Sequence, residues 1–163
     1  MSGRIYPAKW TVHKGKMGAA QLSPILPTWT EDSGNTKVTR EGALFLEMAP
    51  FKALNANGDA TYDWAAKKIN LAIGINDIHQ ILEGFTKEQS FKLIHDDGSN
   101  MKVLSFTPGV DKYAGTWMLS LSLTVKSDDT KNLNNKISMS LGESMIFASL
   151  LSSAASWILG WPS

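Results

Sequence analysis

The chain has 163 residues, 43% of them apolar and 19% charged, which is enough to bury a core as one domain or two fused small ones and excludes a disordered segment. It has no cysteine, which removes disulfides, thiolate metal sites and thiol nucleophiles together. The formal net charge of +1 excludes a general polycation that grips duplex DNA through many phosphates, so any nucleic-acid site has to be local.

Residues 1–9 read as a flexible N-terminal segment ahead of a single domain over 10–163. The first thirty residues carry Arg4, Lys9, Lys14 and Lys16 with no acid. Pro7 and Trp10 stand where a secretory peptide needs an unbroken apolar core, and no Arg/Ser-rich transit pattern is present, so no targeting signal is visible. The expected location is a reducing intracellular compartment: the cytoplasm of a microbial or virus-infected cell, or an organelle after processing. Trp10 to Ala20 reads as a first strand and a weaker run near Lys37 as a second. Alternation then predicts strands over 43–48 and 67–73. Ile75, Ile78, Ile81, Leu82 and Phe85 recur at helical spacing, opened by Asn76 or a neighbour as cap.

The second half repeats the order. Strands are expected over 90–95, 101–106, 117–126 and 136–141. In the longest of these Trp117, Leu119, Leu121, Leu123 and Val125 share one face and Met118, Ser120, Ser122, Thr124 and Lys126 the other. Asn57-Gly58, Asp97-Gly98 and Pro108-Gly109 supply the turns of antiparallel sheets. Ser140 and Glu143 have the spacing of a capping box, after which Met145 to Trp161 runs as an apolar helix stopped by Gly160 and Pro162. Ser144 to Ser163 carries no formal charge, but Ser149, Ser152, Ser153 and Ser156 form a polar flank, and no basic residues mark a membrane interface. A helix apolar around most of its girth needs cover on several sides, so it is expected to join copies of the chain, through Met145, Phe147, Leu150, Leu151, Ala154, Trp157 and Ile158, rather than enter a membrane.

Catalytic and cofactor patterns are missing. His13, His79 and His95 lie far apart, with no metal-ligand spacing, and read as structural or surface residues. Gly15 and Gly18 lack the spacing of a phosphate loop, and Gly142-Glu143-Ser144-Met145-Ile146 lacks the second glycine of a nucleophile elbow. The expectation is therefore a protein that is not an enzyme, with no cofactor and no metal. What the strands do carry is lysine interleaved with aromatics: Trp10, Lys14 and Lys16; Trp29; Tyr62, Trp64, Lys67 and Lys68; Phe91 and Lys92; Lys102 and Phe106. Single-strand binders need this pairing, cations for the phosphates and flat rings for unpaired bases. A ring taken alone on a strand is more often core than a base platform, and a lysine on a strand face is usually just solvated, so only their co-occurrence points to a ligand.

These residues also carry a resemblance. Lys14-Gly15-Lys16 followed by Ala19-Ala20, the run Gly42 to Pro50, Tyr62-Asp63-Trp64 followed by Lys67-Lys68, Ile94-His95-Asp96 and the closing Ile158-Leu159-Gly160-Trp161 resemble, in order and spacing, motifs of the Whirly single-stranded-DNA-binding proteins. The likeness spans roughly Trp10 to Trp161. It implies an α+β fold of two four-stranded antiparallel sheets packed crosswise, each followed by a helix (ββββα-ββββα), and a homotetramer with the helices at its centre. It further implies single-stranded DNA along the sheet edges, in replication, recombination or repair. Lys14, Lys16, Lys67 and Lys68 would touch the backbone, with Trp29, Phe45 and Trp64 as ring contacts; Lys92 and Lys102 complete the expected set. Met17-Gly18 interrupts the family spacing, so the first strand is expected to bulge there. RNA binding or annealing on the same fold, and a structural assembly protein without a nucleic-acid ligand, are the alternatives.

Overall fold

The protein is described from a computed structural model, which covers residues 7–161. Most of the expected N-terminal segment, residues 1–6, and Pro162 of the expected helix stop lie outside the described residues. Among the described residues there are twelve strands and two α-helices: β1 (Trp10–His13), β2 (Ala19–Ile25), β3 (Thr28–Asp32), β4 (Asn35–Arg40), β5 (Ala43–Ala49), β6 (Phe51–Leu54), β7 (Ala60–Tyr62), β8 (Ile69–Ile73), α1 (Ile75–Lys87), β9 (Phe91–Asp96), β10 (Asn100–Pro108), β11 (Trp117–Val125), β12 (Leu133–Met139) and α2 (Leu141–Ile158). They form two four-stranded antiparallel sheets, β1-β2-β5-β8 and β12-β11-β10-β9, each followed by its helix. The α+β class and the order of sheets and helices are as expected.

The first sheet is made of other strands than the alternation suggested. Trp10 to Ala20 is two strands, because the chain reverses between them. Lys14 N–H donates to Gly18 O at 2.9 Å, Met17 N–H donates to Lys14 O, and Gly15 takes φ +54°. The strand therefore ends at His13 instead of bulging at Met17-Gly18. The run near Lys37 is β4, which pairs only with β3. Every residue of these two strands except Val38 is exposed, so they have no apolar face to place in a core sheet. A second hairpin, β6–β7, leaves the end of β5.

The inward faces meet in one core. Val12, Leu22, Leu44, Leu46, Met48, Ile69, Leu71 and Ile73 come from the first sheet, and Leu93, Leu104, Phe106, Trp117, Leu119, Leu121, Ile137 and Met139 from the second. Phe91 stacks on Phe106 at 4.6 Å, Phe85 lies 4.6 Å from Trp117, and Trp10 lies 6.2 Å from Phe147. Trp10, Phe91 and Phe106 are thus packing residues and not base platforms. The sheets cross: β12 touches both β2 and β5 where those strands begin and end. A Cβ on Gly18 would come within 2.9 Å of both Ala49 O and Lys136 O. At the same place the buried Asn135 amide donates to Met48 O at 2.8 Å and to Lys67 O at 2.9 Å.

The helices cover this core. Asp77 at the start of α1 accepts the Gly74 N–H and also pairs with His95 at 3.1 Å, which gives that histidine a structural place. In α2 the capping box is present, with Ser140 Oγ accepting Glu143 N–H and Glu143 accepting Ser140 N–H. Helix α2 is long and apolar enough to cross a membrane by length and composition. Its stripe Phe147, Leu151, Ala154 and Ile158 is nevertheless sealed in the core of its own chain.

Candidate nucleic-acid interface

The crossing of the sheets gathers side chains that are distant in sequence. The β1–β2 turn brings Lys14 and Lys16, and Gly18 fits against the backbone of Lys136 only because it lacks a side chain. Asn135 ties the same stretch of β12 to the loop that carries Lys67 and Lys68. Tyr62, at the end of β7, stacks on His13 of β1 at 5.3 Å and 14°. Beyond it Asp63 accepts the Ala66 N–H, forming the turn that carries the half-buried Trp64. The β1–β2 turn with Lys14 and Lys16, the backbone of Lys67 and the backbone of Lys136 are thereby brought to one junction next to a stacked ring pair, with the Lys68 ammonium on the outer face of the first sheet and the Lys136 side chain on the outer face of the second.

Their ammonium groups are not equivalent. Lys14 pairs with Glu143 at the start of α2, and Lys68 pairs with Glu47 at 2.7 Å. Lys16, Lys67 and Lys136 are exposed and, among the described residues, have no carboxylate within 4 Å. Glu47 sits on the outer face of the first sheet yet is only 4% exposed, roofed by Lys68, Gln21 and Lys9. Burial opposes its charge, but the hydrogen bonds from Lys68 and Gln21 and the charges of Lys68 and Lys9 outweigh burial, so its carboxyl ionises below the ordinary range. Glu143 behaves alike: burial raises its pKa, and the bonds from Lys14 and Ser140 lower it further than burial raises it.

A groove of about 540 Å³ leads away from Lys14 along the end of the second sheet, lined by Ser138, Ser140, Thr107, Thr116 and Tyr113 among others. Lys112 Nζ lies 5.1 Å over the exposed Tyr113 ring. On the outer face of the second sheet Lys92, Ser105, Ser120 and Lys136 form one cross-strand row. Lys92 and Lys136 stand at its two edges, about 14 Å apart at the usual strand spacing.

Other expected site residues fall elsewhere. Lys102 is on the inward register and donates to Asn70 O at 2.6 Å and to its Oδ1 at 3.0 Å, so it joins the two sheets instead of facing a phosphate. Phe45 is half-buried on the outer face of the first sheet, between Ser23 and Ala72. Trp29, 48% exposed, lies on Gly160 at the C-terminal end of α2, whereas Lys14 is held at the N-terminal end. At 1.5 Å per residue those ends are about 25 Å apart, so one chain does not bring Trp29 to the lysine cluster.

The expected contact residues of α2 divide in two. Phe147, Leu151, Ala154 and Ile158 are buried without any partner chain, which corrects their assignment to an interface between copies. Leu150 and Trp157 are half-buried beside an apolar groove of about 350 Å³, and Met145 is 65% exposed. Leu141 and Ile146, which the sequence reading passed over, are 56% and 48% exposed, and Leu141 lies one turn before Met145 on the same side of the helix. His13, Lys112, Tyr113 and Lys136 were likewise missed as candidate site residues. A lone lysine on the solvent face of a strand signals nothing until the crossing brings its strand to the β1–β2 turn.

Two crossed antiparallel sheets, each closed by a helix and carrying a lysine and ring cluster at their junction, define the class of protein. The family model described as Whirly transcription factor matches residues 12–150, and the chain belongs to the Whirly family. It is 29% identical over 168 aligned residues to the mitochondrial single-stranded DNA-binding protein WHY2 of Arabidopsis thaliana, covering 98% of this chain and 66% of that protein. It is 28% identical to the chloroplastic single-stranded DNA-binding protein WHY1 of Solanum tuberosum, covering 93% of this chain and 54% of that protein. The crystal structure of WHY1 from Arabidopsis thaliana shares the fold with a TM-score of 0.82 at 24% identity, over 98% of this chain and 94% of that one. The structure of the plant transcriptional regulator PBF-2 matches with a TM-score of 0.80 at 25% identity, over 98% and 86%.

Proposed function

We propose that the protein is a non-enzymatic, sequence-tolerant binder of single-stranded DNA that works as a homotetramer and protects or organises single strands in replication, recombination or repair. The observation that carries this reading is the junction of the sheets, where the turn with Lys16, the loop with Lys67 and the strand with Lys136 come together next to the His13–Tyr62 stack, none of the three ammonium groups having a carboxylate partner among the described residues. Such a cluster follows a backbone of phosphates and offers ring faces to unpaired bases, each stacked base being worth about 1–3 kcal/mol, with little dependence on base identity. The curated relatives carry the same ligand in their names. The exposed apolar side chains Leu141, Met145 and Ile146 at the start of α2 support assembly from further copies, since water-facing groups of this kind gain from cover.

Titration with oligothymidylate and with matched duplex tests the ligand. Tighter binding to the single strand is expected, weakening as salt rises, and equal affinity for duplex would refute the reading. Replacing Lys16, Lys67 and Lys136 with Ala should flatten the slope of log affinity against log salt by about 2, at roughly 0.7 per phosphate contact. An unchanged slope would favour a structural protein whose lysines only solubilise it. A matched RNA oligomer that displaces the DNA would move the ligand to RNA. Scattering mass reports the assembly, and a monomer at micromolar concentration would remove the tetramer.

A further inference from the structure

Lys14 stands on the wall of the 540 Å³ groove, on the β1–β2 turn that also carries Lys16, yet its ammonium is already occupied. Its partner Glu143 is the N3 residue of α2 and is fixed twice over: its carboxylate accepts the Ser140 N–H at 2.9 Å, and its own N–H donates to Ser140 Oγ at 3.2 Å. The positive end of the helix dipole favours negative charge at this position. Both side chains are only about a quarter exposed, at 23% and 26%, so water competes weakly for either. Lys16, two residues on, has no such partner among the described residues.

A lysine contributes to polyanion binding by releasing mobile counter-ions from the nucleic acid as it neutralises a phosphate. One that is neutralised by a fixed carboxylate has little net charge to offer, and a phosphate that approaches it is repelled by that carboxylate. Resting on the single-strand reading above, we infer that Glu143 is a built-in counter-ion that withholds Lys14 from the phosphates, so the helix cap sets how tightly the neighbouring cluster holds a strand. Displacement of the Lys14 ammonium from Glu143 is then the step that adds a phosphate contact.

The test is a cycle of Glu143→Gln, Lys14→Gln and the double variant, each titrated with oligothymidylate over a series of salt concentrations. Glutamine also fills the N3 position of a capping box, so Glu143→Gln removes the charge and keeps the side-chain bond that starts the helix. Thermal melts of each variant verify the fold. Glu143→Gln should bind about three to five times more tightly at low salt, the range of a released surface ion pair. Its salt slope should steepen by about 0.7, one additional single-strand phosphate contact. Both gains should vanish when Lys14 is also Gln. Unchanged or weaker binding by Glu143→Gln overturns the inference, as does a gain that persists without Lys14, since that would be a general field effect. A wild-type protein without salt-dependent binding would instead bring down the single-strand reading itself, and this inference with it.

Discussion

The second sheet is a plain meander, β9 to β12 in neighbour order, whereas the first draws its four members from eight strands and sends the other four out as two hairpins. Inside, the two are nearly equivalent, each lining one side of the same core with alternate apolar residues. Outside they differ. One interruption in the first half, β6–β7, brings Tyr62 onto His13 and leads into the loop of Trp64, Lys67 and Lys68; the other, β3–β4, lays Trp29 and Val38 on the end of α2. The regular half supplies most of the frame, and the turns and excursions of the irregular half supply most of the candidate site, His13, Lys14, Lys16, Tyr62, Lys67 and Lys68, because a loop can present a side chain without being bound to the period of the sheet.

The sharpest way to break this comparison is in the frame. Leu151→Asp places an unpaired charge in the shared core and should cost more than the ~2–5 kcal/mol of a Leu→Ala truncation, leaving no cooperative thermal transition. Met145→Glu, on the uncovered side of the same helix, should keep the far-UV spectrum and lower only the scattering mass. Loss of fold in both would mean that the two faces are not distinct.

The link between the halves comes next. Asn135→Leu strips the side-chain donor from two carbonyls at the crossing and should lower the unfolding free energy by about 1–3 kcal/mol in urea titration. Ser122→Ala, on the outer face of the regular sheet, should stay within about 0.5 kcal/mol. Ser140→Ala removes the side-chain cap of α2 and should cost about 1 kcal/mol by the same measurement.

Acid gives the smallest and most graded effect. Glu47 and Glu143 ionise at lower pH in the folded chain than in the unfolded one, so on acidification the unfolded state takes up their protons first. The stability they confer is complete above the ordinary carboxylate range and is lost as pH falls through their lowered values. Urea midpoints measured downward from pH 6 should therefore decline below about pH 4.5. They should decline less steeply in Glu47→Gln and Glu143→Gln.

Where one residue pattern implies one environment, the sequence was enough. Alternation over Trp117–Val125 located β11 to within a residue, and Ser140 with Glu143 marked the start of α2. The first sheet was harder, because two glycines reverse the chain inside what reads as one strand, and an exposed hairpin strand looks like a weak sheet member. For α2, a helix apolar around most of its girth has too weak a period to show which face turns inward, so buried Leu151 and exposed Met145 look alike before folding. The site was legible as a list of lysines and rings. Which lysines are free depends on Glu47 and Glu143, and the second of these lies 129 residues from its partner Lys14.

That separation bears on how the protein comes into being. The helix that caps the core is made after both sheets, and it docks at both ends on segments made far earlier: Glu143 on the β1–β2 turn, and Ile158 O as acceptor of the Gly42 N–H. Until it emerges, the nascent first sheet holds Leu22, Leu44 and Leu46 without their final cover, and folding can close only once synthesis of α2 is complete.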